Sequence, residues 1–234
     1  AINVASWASS TISPQLMRLI KSYLGDEGEI VSGPNFIRAF QITIDLAPGQ
    51  TISNLDLSDM LPNSMQYVRL VSTTVGGVAT STTAIATPST STPGGTLTRR
   101  FASVSGTAET DDASMVFSFY VPRVNTTSGV ILSASTGEDS FGQNNASAAA
   151  QWSPIDTADS ATTPIINPSA PEYTLDYRSI AIQKHVINTT DTITTATDLL
   201  SYTLDVQISD YFAFQNIEVI DTISDGQRFD ASFP

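Results

Sequence analysis

Residues 40–67, FQITIDLAPGQTISNLDLSDMLPNSMQY, and residues 202–229, YTLDVQISDYFAFQNIEVIDTISDGQRF, carry one pattern twice. Laid over each other at an offset of 162, with no gap, they are identical only at Asn54/Asn216 and Asp59/Asp221. Apolar positions nevertheless coincide at 40/202, 42/204, 44/206, 46/208, 52/214, 55/217, 57/219, 61/223 and 67/229. Phe40, Ile42, Ile44 and Leu46 alternate with Gln41, Thr43 and Asp45, and Leu55, Leu57 and Leu61 alternate again beyond Pro48-Gly49. Alternation at period 2 describes a strand with one buried face. Keeping that phase through the turn describes a duplicated strand–turn–strand unit, not two unrelated strands.

The same reading extends outward. Met115, Phe117, Phe119 and Val121 alternate, and Gly76-Gly77, Pro93-Gly94-Gly95 and Asp225-Gly226 punctuate the runs. Short alternating strands between turn residues predict an all-β chain of sandwich domains in tandem. One segment reads differently. Ser13-Pro14, then Leu16, Leu19, Ile20, Tyr23 and Leu24, then Gly25, has a cap, a first-turn proline, an apolar stripe and a terminator. It predicts one short helix near residues 13–24.

Composition excludes several classes. The 234 residues carry 23 acids against 10 bases, a net charge of -13, which repels phosphate and argues against nucleic acid as a partner. There is no cysteine, so no disulfide or thiolate metal site exists, and the lone His185 rules out a multi-histidine metal site within one chain. No metal or other cofactor is expected. No apolar run approaches the ~18 residues of a membrane span. Ser and Thr make 60 residues, yet 41% of the chain is hydrophobic, so a packed β core is expected, not a disordered acidic tail.

The first copy of the repeat continues to Trp152, whereas the second ends at Pro234, just past its matching strand. Residues 1–7, AINVASW, echo residues 144–152, NNASAAAQW: Asn, then small residues, then Trp. The expected layout is therefore a terminal strand (1–10) completing a neighbouring domain and a complete sandwich (13–152). A Pro-rich linker (153–171) and the first half of a second sandwich (172–234) follow. The chain reads as a window on an array, or as a subunit finished by its neighbours. Either reading requires copies of itself as partners, in a head-to-tail homopolymer or a long tandem array, because half a sandwich exposes edges and an apolar face.

RSIAIQKHV (178–186), LLSYTLDVQ (199–207) and ISDYFAFQNIEVIDTISDGQRFD (208–230) resemble the repeat domains of large bacterial surface and extracellular proteins, akin to fimbrial isopeptide-forming domains. The shared features are a strand with Lys, a strand with Tyr, and apolar-apolar-Asp-x-apolar before a Gly turn. The resemblance covers 172–234 well and 28–152 more loosely. It implies immunoglobulin-like sandwiches in a long secreted or surface chain, an extracellular or cell-surface location, and no enzyme acting on external substrates.

Lys21 and Lys184 are the only lysines, 19 residues before Phe40 and 18 before Tyr202. Ile180, Ile182, Lys184 and Val186 share a face, so Lys184 points inward. Asp221 shares the face of Ile217, Val219 and Ile223, and Asp59 that of Leu55, Leu57 and Leu61. A buried lysine and a buried acid each need a partner. Two outcomes stay open: an ordinary buried Lys–Asp ion pair, or an isopeptide bond from the lysine to an Asn, with the acid moving protons. The resemblance places that Asn on the last strand, at Asn144 or Asn145 in the complete domain. For the half domain, Asn3 of a following unit is the candidate. The expected helix takes Lys21 off a strand and so disfavours the bond in the first domain.

Other constellations carry less. Glu109–Asp112 and Glu138-Asp139 read as solvated loop charge sooner than as calcium ligands. His185 faces outward, which leaves no Ser-His-Asp arrangement. Asn125, Asn145 and Asn188 begin glycosylation-type triplets, which a Thr-rich sequence also produces by chance. Trp7 and Trp152 read as strand-end packing. The function expected is a structural unit of an extracellular filament, sheath or stalk, assembled head-to-tail by strand complementation. The alternative is an adhesin-type module that binds a cell-surface or glycan ligand through loops 80–96 and 134–143.

Overall fold

A computed structural model describes residues 16–25, 30–109, 111–125, 129–134, 138–152, 163–167, 172–190, 195, 198–223 and 226–232. In chain order the strands are β1 (Met17–Leu24), β2 (Arg38–Leu46), β3 (Thr51–Leu61), β4 (Gln66–Val75), β5 (Val78–Ala79), β6 (Thr83–Ala86), β7 (Gly95–Ser105) and β8 (Ala113–Tyr120). Then come β9 (Val124–Asn125), β10 (Gly129–Val130), β11 (Glu138–Trp152), β12 (Thr163–Asn167), β13 (Tyr173–Arg178), β14 (Ile180–Asn188) and β15 (Leu200–Ile208). No helix occurs among the described residues, and none is long and apolar enough to cross a membrane.

Two antiparallel sheets enclose one core. One has the order β1-β2-β8-β4-β5; the other has β12-β11-β3-β7-β6, with β13 also on β11. The alternating apolar residues meet between them: Phe40, Ile42 and Ile44 from β2, Leu55 and Leu57 from β3, Phe101 from β7, Phe117 and Phe119 from β8. Small residues line the inner face of β11, where Ala146, Ala148 and Ala150 are buried. Full burial of each large side chain stabilises the fold by about 1.5–3 kcal/mol, and the rings of Phe40 and Phe119 stack at 5.0 Å.

The expected helix is a strand. β1 pairs with β2 along its whole length, from Met17 opposite Leu46 to Leu24 opposite Ala39. Met17, Leu19 and Lys21 face inward. Counting Lys21 as an outward polar residue favoured a helical stripe; counted as inward, the segment alternates at period 2. Ser13 and Pro14 lie outside the described residues.

The strand boundaries also differ from the expected layout. Thr163–Asn167, inside the expected linker, is β12, hydrogen-bonded to β11 from Ala148 to Trp152. β13, expected in the second domain, pairs with the first part of β11. Gly142 of β11 lets β13 sit close, since a Cβ there would lie 1.6 Å from the hydroxyl of Tyr177. Among the described residues there is one complete sandwich, not two in tandem. Beyond it, β14 and β15 form a separate two-stranded sheet.

That small sheet reproduces the start of the sandwich. Lys184 stands opposite Leu204, as Lys21 stands opposite Ile42. After β15 the Ser209 N–H donates to Ser179 O at 2.9 Å, as the Ala47 N–H donates to Leu16 O at 2.9 Å after β2. Phe212 N–H to Ser209 O matches Gln50 N–H to Ala47 O. Among the described residues, Asn54 and Asn216 are the non-glycine residues with positive φ, at 50° and 56°. The two identical residues of the repeat thus include the one whose backbone needs Asn, which tolerates this left-handed conformation better than most residues. β3 is the third strand of the unit in the first copy. Its counterpart around 216–223 has no ladder partner, because nothing described stands in for β7 or β11 beside it.

Candidate functional site

Lys21 on β1 and Asp59 on β3 face each other across the core. Their side chains are fully buried and joined by a hydrogen bond from Lys21 Nζ to Asp59 Oδ2. Lys21 Nζ also lies 4.3 Å from the ring centroid of Phe40 and 6.0 Å from that of Phe117. Aromatic faces attract a cation but offer far less than water would. Burial therefore dominates. It pushes the Lys21 amine below its ordinary value against the pull of Asp59, and it pushes the Asp59 carboxyl up against the pull of Lys21 and the Asn144 amide. Both groups move toward their neutral forms, amine and carboxylic acid.

Of the two asparagines expected at this place, Asn144 is the one that faces inward. It is buried, while Asn145 stands outward opposite Met60. Its neighbour on the same face, Ala146, stands opposite Asp59. The Asn144 amide is close enough to depress the Asp59 carboxyl, yet neither its nitrogen nor its oxygen makes a hydrogen bond of normal geometry. Asp59 Oδ1 is unpaired as well. Buried polar atoms rarely remain unmatched, and each costs about 1–3 kcal/mol. An amine, a carboxyl and an unpaired carboxamide, all dry, are the reactants of amide exchange.

The second constellation has the same parts and a different setting. Lys184 Nζ donates to Asp221 Oδ1 at 2.7 Å and Oδ2 at 2.9 Å, and lies 4.4 Å from the ring of Tyr202, the counterpart of Phe40. The parity placing Lys184 and Asp221 on one face holds. The side chains are nonetheless 40% and 32% exposed, and no described strand covers them. Asn3 and Trp7 lie outside the described residues.

Other expectations resolve one by one. His185 faces out, with Nε2 3.7 Å from Asp205 Oδ2. Trp152 packs at a strand end, with its Nε1–H donating to Gln50 Oε1. Asp112, expected as solvated charge, is buried. It accepts hydrogen bonds from the Leu46 N–H and from the Thr107 N–H and hydroxyl. Among the described residues no cluster of acids and histidines could hold a metal. Part of loop 80–96 is β6, and residues 138–143 of the other candidate recognition loop belong to β11.

Sequence reading missed the joint between the sandwich and the small sheet. On the sandwich side, Arg38 is buried and donates to the carbonyls of Asp176, on β13, and of Ile30. Asp210 accepts from the Asn35 N–H and side-chain amide. Ser209 donates to Ser32 O, and Phe212 lies under Arg123.

No family model and no curated protein sequence matches the chain. Similar solved structures are bacterial major pilins. The full-length SpaD of Corynebacterium diphtheriae is 13% identical with a TM-score of 0.45, over 78% of this chain and 39% of that one. BcpA of Bacillus cereus is 7% identical with a TM-score of 0.45, over 82% and 56%. A C-terminal fragment of the Streptococcus agalactiae major pilin is 12% identical with a TM-score of 0.44, over 76% and 61%. The chain spans less than two thirds of each.

Proposed function

We propose that the chain is a structural unit of an extracellular filament or surface stalk, joined head-to-tail by strand complementation. The observation that carries this reading is the uncovered face of the second unit. Ile182, Val206, Ile217, Val219 and Ile223 are exposed, whereas their counterparts Leu19, Ile44, Leu55, Leu57 and Leu61 are buried. An exposed apolar face beside an unpaired extended segment is the receptor for an incoming strand, whose main-chain hydrogen bonds supply affinity. A contact in which the end of one unit fills a different surface of the next does not close on itself, so it propagates as a filament.

The complete sandwich serves this role as a covalently locked rod segment. Lys21 Nζ attacks Cγ of Asn144; the Nζ–Cγ bond forms, the Cγ–Nδ2 bond breaks, and ammonia leaves. Asp59, held as the acid, polarises the carboxamide oxygen, accepts the amine proton and passes it to the departing nitrogen. Electron microscopy and sedimentation of the native chain test the assembly, with beaded strings expected and isolated particles at high concentration refuting it. Intact mass after denaturation tests the lock. One ammonia less than the sequence, with a linked Lys21–Asn144 peptide, is the expected result.

A further inference from the structure

The β14–β15 sheet lacks what keeps two strands ordered on their own. A two-stranded sheet standing free in water is marginal at best. Within these strands Ala181 alone is buried, while Val186, Ile187, Tyr202 and Val206 are exposed. The rest of the burial lies where the sheet meets the sandwich, at Ser179 and Ser209. The order of the sheet therefore comes from its base.

The base is attached twice. Ser179 is the single residue between β13, which belongs to the sandwich, and β14. One such crossing is a hinge. The second attachment runs through residues 30–35. The Ser32 N–H donates to Arg178 O at 2.9 Å, and the Ser32 carbonyl accepts from the Ser209 hydroxyl at 2.5 Å. The Val31 N–H donates to Gln207 Oε1 at 3.3 Å. Asp210 accepts from the Asn35 N–H at 2.8 Å and from its side-chain amide at 2.7 Å. Beyond them Tyr211 and Phe212 pack against the core of the sandwich, with the Tyr211 hydroxyl donating to Val121 O at 3.3 Å. Gly33 lets the two sides meet: its φ is 156°, and a Cβ there would overlap the Asp210 carboxylate. From the sandwich side Arg38 donates to Ile30 O at 3.0 Å and to Asp176 O at 3.1 Å, which holds the start of this segment against β13.

We propose that residues 30–35 and 207–212 form a rigid clasp that orders the β14–β15 sheet and fixes its angle to the sandwich. The inference does not depend on how the chain assembles. The second attachment removes the rotation that the one-residue crossing at Ser179 would allow. The side chains that make it are particular to this joint. At the offset of 162, Ser209-Asp210-Tyr211-Phe212 corresponds to Ala47-Pro48-Gly49-Gln50, which has neither the acid nor the rings. The backbone turn is common to both units, since Ala47 and Ser209 donate and accept alike, so the repeat accounts for the turn and the joint accounts for its side chains.

The test uses the full chain, which has no cysteine of its own and so takes spin labels at chosen sites. Ser103→Cys on β7 and Thr203→Cys on β15 are both exposed, and pulsed electron resonance between their labels reads the placement of the small sheet on the sandwich. One narrow distance distribution is expected, together with amide hydrogen exchange that is slow in β14 and β15. Gly33→Val drives a branched side chain into Asp210. Ser209→Ala combined with Asp210→Ala removes the side-chain bonds without adding bulk. Each is expected to lose the narrow distribution and the protection of β14 and β15, while β2, β3 and β8 stay protected. If Gly33→Val also unprotects the sandwich, the double variant decides by the same readout. A broad distribution or fast exchange of β14 and β15 in the parent chain overturns the inference. A narrow distribution that survives in the double variant overturns the clasp and leaves the crossing at Ser179 to orient the sheet.

Discussion

Replacing Asn144 by Ala distinguishes a covalent Lys21–Asn144 link from a bare ion pair by the sign of the stability change. The link closes a loop of roughly 120 residues, and the chain-entropy relation for cross-links gives about 5 kcal/mol for a loop of that length. For a cooperative unit of this size, 1 kcal/mol moves the melting temperature by about 2–4 °C. Losing the link should therefore lower Tm by about 10–20 °C. Without a link, the Asn144 nitrogen and oxygen are buried and unmatched, at about 1–3 kcal/mol each. Ala removes that liability and leaves only a small void, so Tm would stay level or rise. Scanning calorimetry and intact mass on the same samples decide the matter. A wild-type mass equal to the sequence, together with a Tm unchanged or raised in Asn144→Ala, refutes the covalent reading.

Two further outcomes follow from the same geometry. In the Asn144→Ala background, Asp59 holds its proton to higher pH when folded. It therefore adds stability that is full below the ordinary value of 3.8 and is lost as pH rises through the raised folded value. Lys21, with its folded value lowered from 10.5, costs stability at lower pH and recovers it as pH climbs toward 10.5. Urea midpoints across pH should lose the acid limb in Asp59→Asn and the alkaline limb in Lys21→Met; retention of both limbs refutes the assignment. Asp112→Ala should destabilise by about 3 kcal/mol, because it strands the Leu46 and Thr107 donors. A denaturant midpoint that does not move would mean water replaces the carboxylate there.

The strands of the repeat were legible because their alternation is strict and their turns are marked. β1 was not. Its apolar residues satisfy both a helical stripe and an alternating strand, and only the environment of Lys21 chooses between them. The helical stripe left Lys21 on the polar side, whereas here the amine is desolvated beside Phe40 and Phe117, which lie on other strands. β12 was hidden for a related reason. The prolines of 153–171 argue for an extended linker, and an extended segment needs only a free edge, which β11 provides, to become a strand. The contacts of Arg38 involve carbonyls contributed by a loop and by β13, and no pattern within one segment encodes them.

The choice between Asn144 and Asn145 was likewise beyond the sequence, because it depends on the register of β11 against β3. That register sets Ala146 over Asp59, and inward parity then selects Asn144. The duplication turns this into an internal control. The same lysine, acid and aromatic ring occur twice in one chain, once fully buried and once 40% and 32% exposed at Lys184 and Asp221. The Lys–Asp pairing is common to the two places; burial, the Asn144 carboxamide and the change of Phe40 to Tyr202 are what differ. If dehydration is what arms the lysine, the buried pair must react within the chain as it folds. The open pair, which water reaches, must then not react.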